Sequence, residues 1–158
     1  MPEDTRKKEV MSAGVFLTAS LVIVLDRATK VISRNNMLEG QSIAVLPDIF
    51  HLTLVNNKGI AFGLFSGSLN LLSSMCFGIL GLALVYFIYQ KKRDLLTMLS
   101  FGLIMGGTAG NLFDRARFGY VIDFIDLRIW PVFNIADSAI TIGAALLAWN
   151  ILKSSKIN

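Results

Sequence analysis

The stretch LLTMLSFGLIMGGTAGNLF occupies residues 95–113 and runs directly into Asp114 and Arg115. It carries no charge, follows the basic cluster Lys91-Lys92-Arg93, and has close to the ~20 apolar residues that a membrane-spanning helix needs. Gly102, Gly106 and Gly110 recur every four residues, with Gly107 and Ala109 beside them. That small face permits close backbone approach between helices. Gly110 also adjoins Asn111 and Asp114, so the same helix packs tightly along its length and carries polar groups at its end.

Three more apolar segments flank this one. Residues 69–89 are uncharged and 133–152 precede Lys153 and Lys156. Residues 10–25 follow Arg6-Lys7-Lys8, and their helix is expected to continue through Asp26-Arg27-Ala28-Thr29-Lys30 to about residue 32. A cleaved secretory signal is the rival reading of this first segment. No small-x-small cleavage site follows Leu25, and Asp26 and Lys30 stand four apart on one helical face, so an uncleaved helix is favoured. Of 158 residues, 54% are hydrophobic and 16% charged, with a mean hydropathy of +0.61. A water-soluble domain carries more charge. The net charge of +4 gathers at segment ends, which suits membrane topology and anionic head groups and gives no nucleic-acid motif.

These segments predict an all-α membrane protein, a single polytopic domain over residues 1–158. Its four transmembrane helices fall near 10–32, 69–89, 95–113 and 133–152. The outer loops are 33–68 and 114–132, and the extended pieces of the first are expected to form a small extracytoplasmic β-sheet over the helices. Within the first loop, residues 42–46 and 50–55 read as extended pieces separated by a turn at Pro47-Asp48. With four spans, the clusters before the first helix, between the second and third, and after the fourth lie on one side, so both termini are expected to be cytoplasmic. Cys76, the only cysteine, lies in an apolar run with no accompanying base and reads as a structural thiol. His51, the only histidine, reads as a surface or hydrogen-bonded group.

The acids carry the functional signal. Asp114, Asp123 and Asp137 fall within 24 residues, between or inside apolar segments. A carboxylate at a membrane is costly and faces a cavity or a partner. Asn111 and Asp114 are three apart at the end of one helix, and Asn134 and Asp137 repeat that spacing at the start of the next, just after Pro131. Asp123 sits in the connecting stretch Tyr120-Val121-Ile122-Asp123-Phe124-Ile125-Asp126. These groups share the outer ends of two helices and can converge. Such a set suits water activation by a carboxylate pair, in which like charges keep one proton between them. A zinc site of the His-Glu-x-x-His type and a serine–histidine relay both lack parts, and no metal or cofactor is expected. Asp114 with Arg115 reads as a structural ion pair, Asp126 with Arg128 as a solvated loop pair, and Asp26 with Lys30 as a bridge at a helix end.

Five motifs in order resemble the lipoprotein signal peptidases, or signal peptidase II. They are Asp26-Arg27-Ala28-Thr29-Lys30, Asn57-Lys58-Gly59-Ile60-Ala61-Phe62-Gly63, Gly110-Asn111-Leu112-Phe113-Asp114-Arg115, Val121-Ile122-Asp123-Phe124 and Phe133-Asn134-Ile135-Ala136-Asp137. The resemblance implies an aspartic endopeptidase of the bacterial cytoplasmic membrane with its active site toward the outer face. It would remove signal peptides from prolipoproteins, cutting before a cysteine that carries diacylglycerol. It implies Asp123 and Asp137 as the catalytic pair, and Asn57, Gly59, Asn111, Arg115 and Asn134 as lining or supporting groups. Asp26, Lys30 and Asp114 would be structural. It further implies sensitivity to globomycin-type inhibitors and lateral entry of substrate from membrane lipid. Asn56 stands where many members carry arginine, so that position is given no substrate contact.

The alternative of another class is a small proton-coupled transporter or channel subunit using Asp123 and Asp137 as a relay. A relay calls for polar groups through the membrane depth of several helices, whereas these acids gather at one end. A purely structural assembly factor leaves the paired acids unexplained.

Overall fold

The structure is a computed structural model that describes residues 3–58, 81 and 94–155. Three helices and three strands follow one another along the described chain: α1 (Glu3–Asn36), β1 (Ser42–Leu46), β2 (Phe50–Asn57), α2 (Leu95–Phe118), β3 (Val121–Asp126) and α3 (Ile135–Ser155). Three spans within them, Val10–Asn36, Leu95–Phe118 and Ile135–Lys153, are long and apolar enough to cross a membrane. The expected helix at 69–89, with Cys76, lies outside the described residues, as does Gly59.

α2 is the central helix, packed against α1 on one face and α3 on another. The glycine stripe makes this possible. A β-carbon on Gly106 would stand 2.7 Å from the carbonyl oxygen of Ala19 and 2.8 Å from the Val22 side chain, so α1 and α2 meet backbone to backbone. Gly107, one position around the helix, meets the Ala136 carbonyl oxygen of α3. At the end remote from the acids, Asp94 caps α2 by accepting a 2.7 Å hydrogen bond from the Thr97 N–H. Asn150 of α3 donates to both Asp94 oxygens at 3.1 Å and to the Thr97 hydroxyl at 2.9 Å, fastening the two helices there. Phe16, Leu17, Leu21 and Val24 of α1 and Ile142, Trp149 and Leu152 of α3 point outward and exposed, as lipid-facing side chains do.

Both α1 and α2 run further than their apolar content predicts. α1 continues to Asn36, and α2 passes the expected end at residue 113 and stops at Phe118. The polar turn of α2 survives because Asp114 is fully buried in ion pairs with α1 rather than left to solvent. Gly119, with φ of 78°, ends the helix by adopting the left-handed conformation and donating its N–H to the Arg115 carbonyl.

The sheet is antiparallel with order β1-β2-β3. The turn between β1 and β2 falls at Pro47-Asp48 as expected, with Asp48 at φ 62° and the Ile49 N–H closing onto the Leu46 carbonyl. β3 was expected only as a connecting stretch of the outer loop. It is a strand because its residues are covered on nearly every side: Ile122 packs with Met37 and Leu54, while Leu52, Phe118 and Tyr120 close around them. Beyond β3 the chain doubles back, and Phe133 pairs with Ile125 through bonds of 2.8 and 3.0 Å. That return sets Asn134 and the start of α3 beside Asp123.

Candidate active site

Each acid reaches the site by a separate local device. Asp123 lies in β3 opposite Val55, and Asn57 at the end of β2 donates its Nδ2 to Asp123 Oδ2 at 2.8 Å. Asp137 lies in the first turn of α3. There Asn134 accepts the Asp137 N–H on Oδ1 at 2.9 Å, and Asp137 Oδ2 accepts the Asn134 N–H at 3.2 Å. This reciprocal pair is a capping box, built with Asn and Asp, and it stabilises the helix start and fixes the acid together. The Nδ2 of the same Asn134 donates to Asp123 Oδ1 at 2.6 Å. One buried amide therefore holds both acids.

Asn111 of α2 completes the arrangement. Its Nδ2 donates to Asp137 Oδ1 at 2.7 Å, and its Oδ1 accepts from Asn134 Nδ2 at 3.1 Å. Asp123 is 1% exposed and Asn134 is fully buried, so water does not compete for the bond between them, whereas Asp137 is half-buried. Burial first, and then the neighbouring Asp137 charge, push the Asp123 carboxyl up to about 7, against the opposing pull of the Asn57 and Asn134 donors and the Lys30 charge. Asp123 thus holds its proton near neutral pH.

Behind the acids lies a buried ionic cluster. Lys30 Nζ stands 2.8 Å from Asp26 Oδ2, 2.8 Å from Asp114 Oδ2, and donates to Asn111 Oδ1 at 3.0 Å. Asp26, Lys30 and Asp114 are all fully buried. The expected Asp26–Lys30 pair is present, but within the body of α1 rather than at a helix end. Asp26 Oδ1 also accepts the Ala136 N–H at 3.1 Å, so α1 helps to cap α3. Asp114 takes its cations from α1, Arg27 and Lys30, not from its neighbour Arg115 as expected. Adjacent residues on a helix project about 100° apart and do not face each other. Arg115 is half-buried on the last turns of α2.

Arg27 is a member of the ionic cluster that the sequence reading leaves without a role. Its guanidinium pairs with Asp114 and lies over the Phe113 and Phe118 rings, 4.8 and 5.8 Å from their centroids. Its place next to Asp26, one turn from Lys30, was the available signal. Asp126 and Arg128 do pair at 3.2 Å, but Asp126 is a buried strand end that also accepts the Thr53 hydroxyl at 2.7 Å, not a solvated loop residue. His51 lies half-buried in β2, with Nδ1 3.2 Å from the Ser42 hydroxyl.

Gly110 explains how a carboxylate fits between α1 and α2. A β-carbon there would stand 2.7 Å from Asp26 Oδ2 and 3.6 Å from the Ala136 side chain. The carboxylate has no retreat that keeps its 2.8 Å contact to Lys30. Gly110→Ala gains up to about 1 kcal/mol of helix propensity yet is expected to destabilise by a net ~1–3 kcal/mol, read as a lowered unfolding temperature in lipid or detergent.

A cavity of about 400 Å³ opens on Asp137, lined by Leu127, Trp130, Phe133, Ser138, Thr141 and Ile142. The Ser138 and Thr141 hydroxyls bond back to the Asn134 and Asp137 carbonyls at 3.0 and 2.9 Å. They present little polarity to the cavity, which is an apolar trough with an acid at one end.

Membrane-length helices here gather two carboxylates around one buried amide, with Asp137 at an apolar trough, the arrangement of an integral membrane protein with a candidate acid-pair site. Comparison with known proteins makes this specific. Residues 18–153 match the family model described as signal peptidase (SPase) II, and the chain belongs to that family. It is 43% identical over 143 residues to the lipoprotein signal peptidase of Halothermothrix orenii, covering 90% of this chain and 98% of that one. It is 43% identical over 137 residues to that of Moorella thermoacetica, covering 87% and 91%. Among solved structures it resembles a bacterial membrane enzyme determined in meso, with a TM-score of 0.83 and 34% identity over 89% of this chain and 88% of that one. The chain is a peptidase, its aspartic class follows from the family, and it is a bacterial membrane protein.

Proposed function

We propose that this chain removes the signal peptide from diacylglyceryl-modified prolipoproteins, cutting before the lipidated cysteine, with Asp123 and Asp137 as its catalytic pair. The observation that carries this reading is the double grip of Asn134 on both acids. Asp123 enters carrying the shared proton and Asp137 acts as the base. Asp137 takes a proton from water, the hydroxyl oxygen attacks the scissile carbonyl carbon, and Asp123 passes its proton to the carbonyl oxygen. On collapse, the proton on Asp137 moves to the leaving cysteine nitrogen and Asp123 regains one from the gem-diol. Water is consumed and both acids return to their starting states.

Asn57, Asn111 and Asn134 support the acids through the bonds described, and Gly59 and Arg115 complete the motifs that carry the family resemblance. The fold completes as a single polytopic domain with a fourth span at 69–89. Both termini are cytoplasmic and the acids lie at the outer face, the sheet lying beyond the helix ends. The trough beside Asp137 suits an apolar substrate entering from lipid, and globomycin-type inhibitors would compete for it. The proton-relay alternative gains nothing from the site, whose acids are bridged by Asn134 at one end of the helices.

The test is cleavage by purified protein in lipid of one prolipoprotein in two forms, with and without diacylglycerol on its cysteine. Cleavage of the lipidated form, with cysteine as the new N-terminus, is the expected product. Equal cleavage of both forms contradicts the assigned substrate class.

A further inference from the structure

Lys30 touches no acid of the catalytic pair, yet it is fully buried and its ammonium abuts the amide that does. A lysine ammonium has three donors and no acceptor, whereas an asparagine amide has one end of each kind. With Lys30 Nζ 3.0 Å from Asn111 Oδ1, only one orientation of that amide avoids setting donor against donor. The Asn111 NH2 must then face Asp137 Oδ1, where it donates at 2.7 Å. The same Oδ1 accepts from Asn134 Nδ2 at 3.1 Å, which fixes the direction of the second amide, whose NH2 reaches Asp123 Oδ1 at 2.6 Å. Reversal of either amide would put a carbonyl oxygen against a carboxylate, acceptor against acceptor, at half-buried Asp137 or buried Asp123.

The ionic cluster does not need Lys30 merely to join α1 to α2, because Arg27 already pairs with Asp114 across the same interface. Resting on the assignment of Asp123 and Asp137 as the catalytic pair, we propose that Lys30 is a positioning residue. Its ammonium sets the polarity of the Asn111–Asn134 amide chain, so that both catalytic carboxyls meet donors. Asp26 and Asp114 hold the ammonium in place, and their charges together with Arg27 leave the cluster neutral.

Of the charged groups on the elements packed here, Asp26, Arg27 and Lys30 of α1, Asp114 of α2, Asp123 of β3 and Asp137 of α3 form the linked clusters, and the adjoining ends of the same elements also carry Arg34, Arg115, Arg117 and Asp126. Removing Lys30 alone would strand a buried carboxylate, and breaking buried ion pairs this way is strongly destabilising. The informative variant is therefore Lys30→Met combined with Asp26→Asn. It removes one charge of each sign and retains an Oδ1 acceptor for the Ala136 N–H. Asp26→Asn alone is the reference.

Cleavage of a diacylglyceryl-modified prolipoprotein is followed against pH in lipid, after recovery of the folded protein is verified. Relative to Asp26→Asn, the double variant is expected to lose about tenfold or more in kcat with KM within about threefold, since ground-state binding is untouched. The alkaline limb of its profile is expected to move to higher pH, because the Lys30 charge opposes protonation of Asp123. A folded double variant whose kcat and alkaline limb equal those of Asp26→Asn overturns the proposal. If the double variant does not fold, Lys30→Arg carries the test, because it keeps a donor-only cation. Wild-type limb position with kcat within about tenfold supports the proposal, and a folded Lys30→Arg protein without activity overturns it. Activity that survives Asp123→Asn or Asp137→Asn would instead remove the catalytic assignment itself, a result separable from either Lys30 outcome.

Discussion

Asp123→Asn and Asp137→Asn are each expected to reduce cleavage of a diacylglyceryl-modified prolipoprotein by at least about 10³-fold while the protein stays folded in the membrane. Neither amide can exchange a proton at the required step, so each change removes one half of the water-activating pair. The two variants fail for different reasons. Asn at 137 no longer accepts a proton from water, and Asn at 123 no longer delivers one to the carbonyl oxygen. Folding is preserved for an electrostatic reason. Asp123 is buried and its carboxyl is raised to about 7, so near neutral pH its neutral form is far more populated than that of an ordinary carboxyl. A neutral amide of the same shape spares the cost of burying a charge, against about 1–3 kcal/mol for the one bond lost where its NH2 faces the Asn57 or Asn134 donor. The sign can be checked by unfolding. A raised folded-state pKa stabilises most below the unfolded value near 3.8, and that contribution is lost as pH rises to about 7. Asp123→Asn should therefore gain stability relative to wild type between acid and mildly alkaline pH. Thermal unfolding of both proteins across that range measures it, and a constant difference would contradict the raised carboxyl.

Asn134→Ala is expected to have the second-largest effect, and it should strike stability and activity together. The cap on the Asp137 N–H is worth about 1 kcal/mol, and loss of a donor to buried Asp123 adds ~1–3 kcal/mol. A destabilisation of about 2–4 kcal/mol follows from these sums. Activity should fall by roughly 10²-fold, because both acids lose a common anchor and small misplacements are costly in rate. Asn134→Ser separates the two roles. Serine restores the cap to the helix, so stability should largely return. It lacks the NH2 that reaches Asp123, so activity should stay low. A serine variant with wild-type activity would show that the bond to Asp123 has no part in the reaction.

The legibility of this chain divides along physical lines. Apolar length and the every-fourth glycine spacing made the 95–113 helix and its close packing readable, because both are local properties of the sequence. The Asn–Asp spacing at 111–114 and 134–137 likewise placed side chains on one face of each helix before any fold was known. The capping-box role of Asn134 was legible in principle from its spacing to Asp137 just after Pro131. Strand β3 was not legible, because Val121-Ile122-Asp123-Phe124 becomes a strand only through pairing with β2, 64 or more residues earlier in the chain. The extra turn of α2 was missed for a related reason. Asp114 and Arg115 look like the start of a loop until Arg27 and Lys30, far away in sequence, neutralise the buried acid. Asp126 was misread as solvated because nothing local announces Thr53 as its partner. Long-range ion pairs and strand pairing decide what happens to polar residues at the ends of apolar segments.

The measurement that tests the shared-proton carboxylate pair most directly is the pH dependence of kcat for wild-type protein cleaving a diacylglyceryl-modified prolipoprotein in lipid. The reaction needs Asp123 protonated and Asp137 ionised, so kcat should fall as pH rises through the value of about 7 set by burial and the Asp137 charge. The apparent value belongs to the coupled pair. A kcat that stays flat from about pH 6 to about pH 9 would contradict the account, because no proton held by Asp123 would then be taking part.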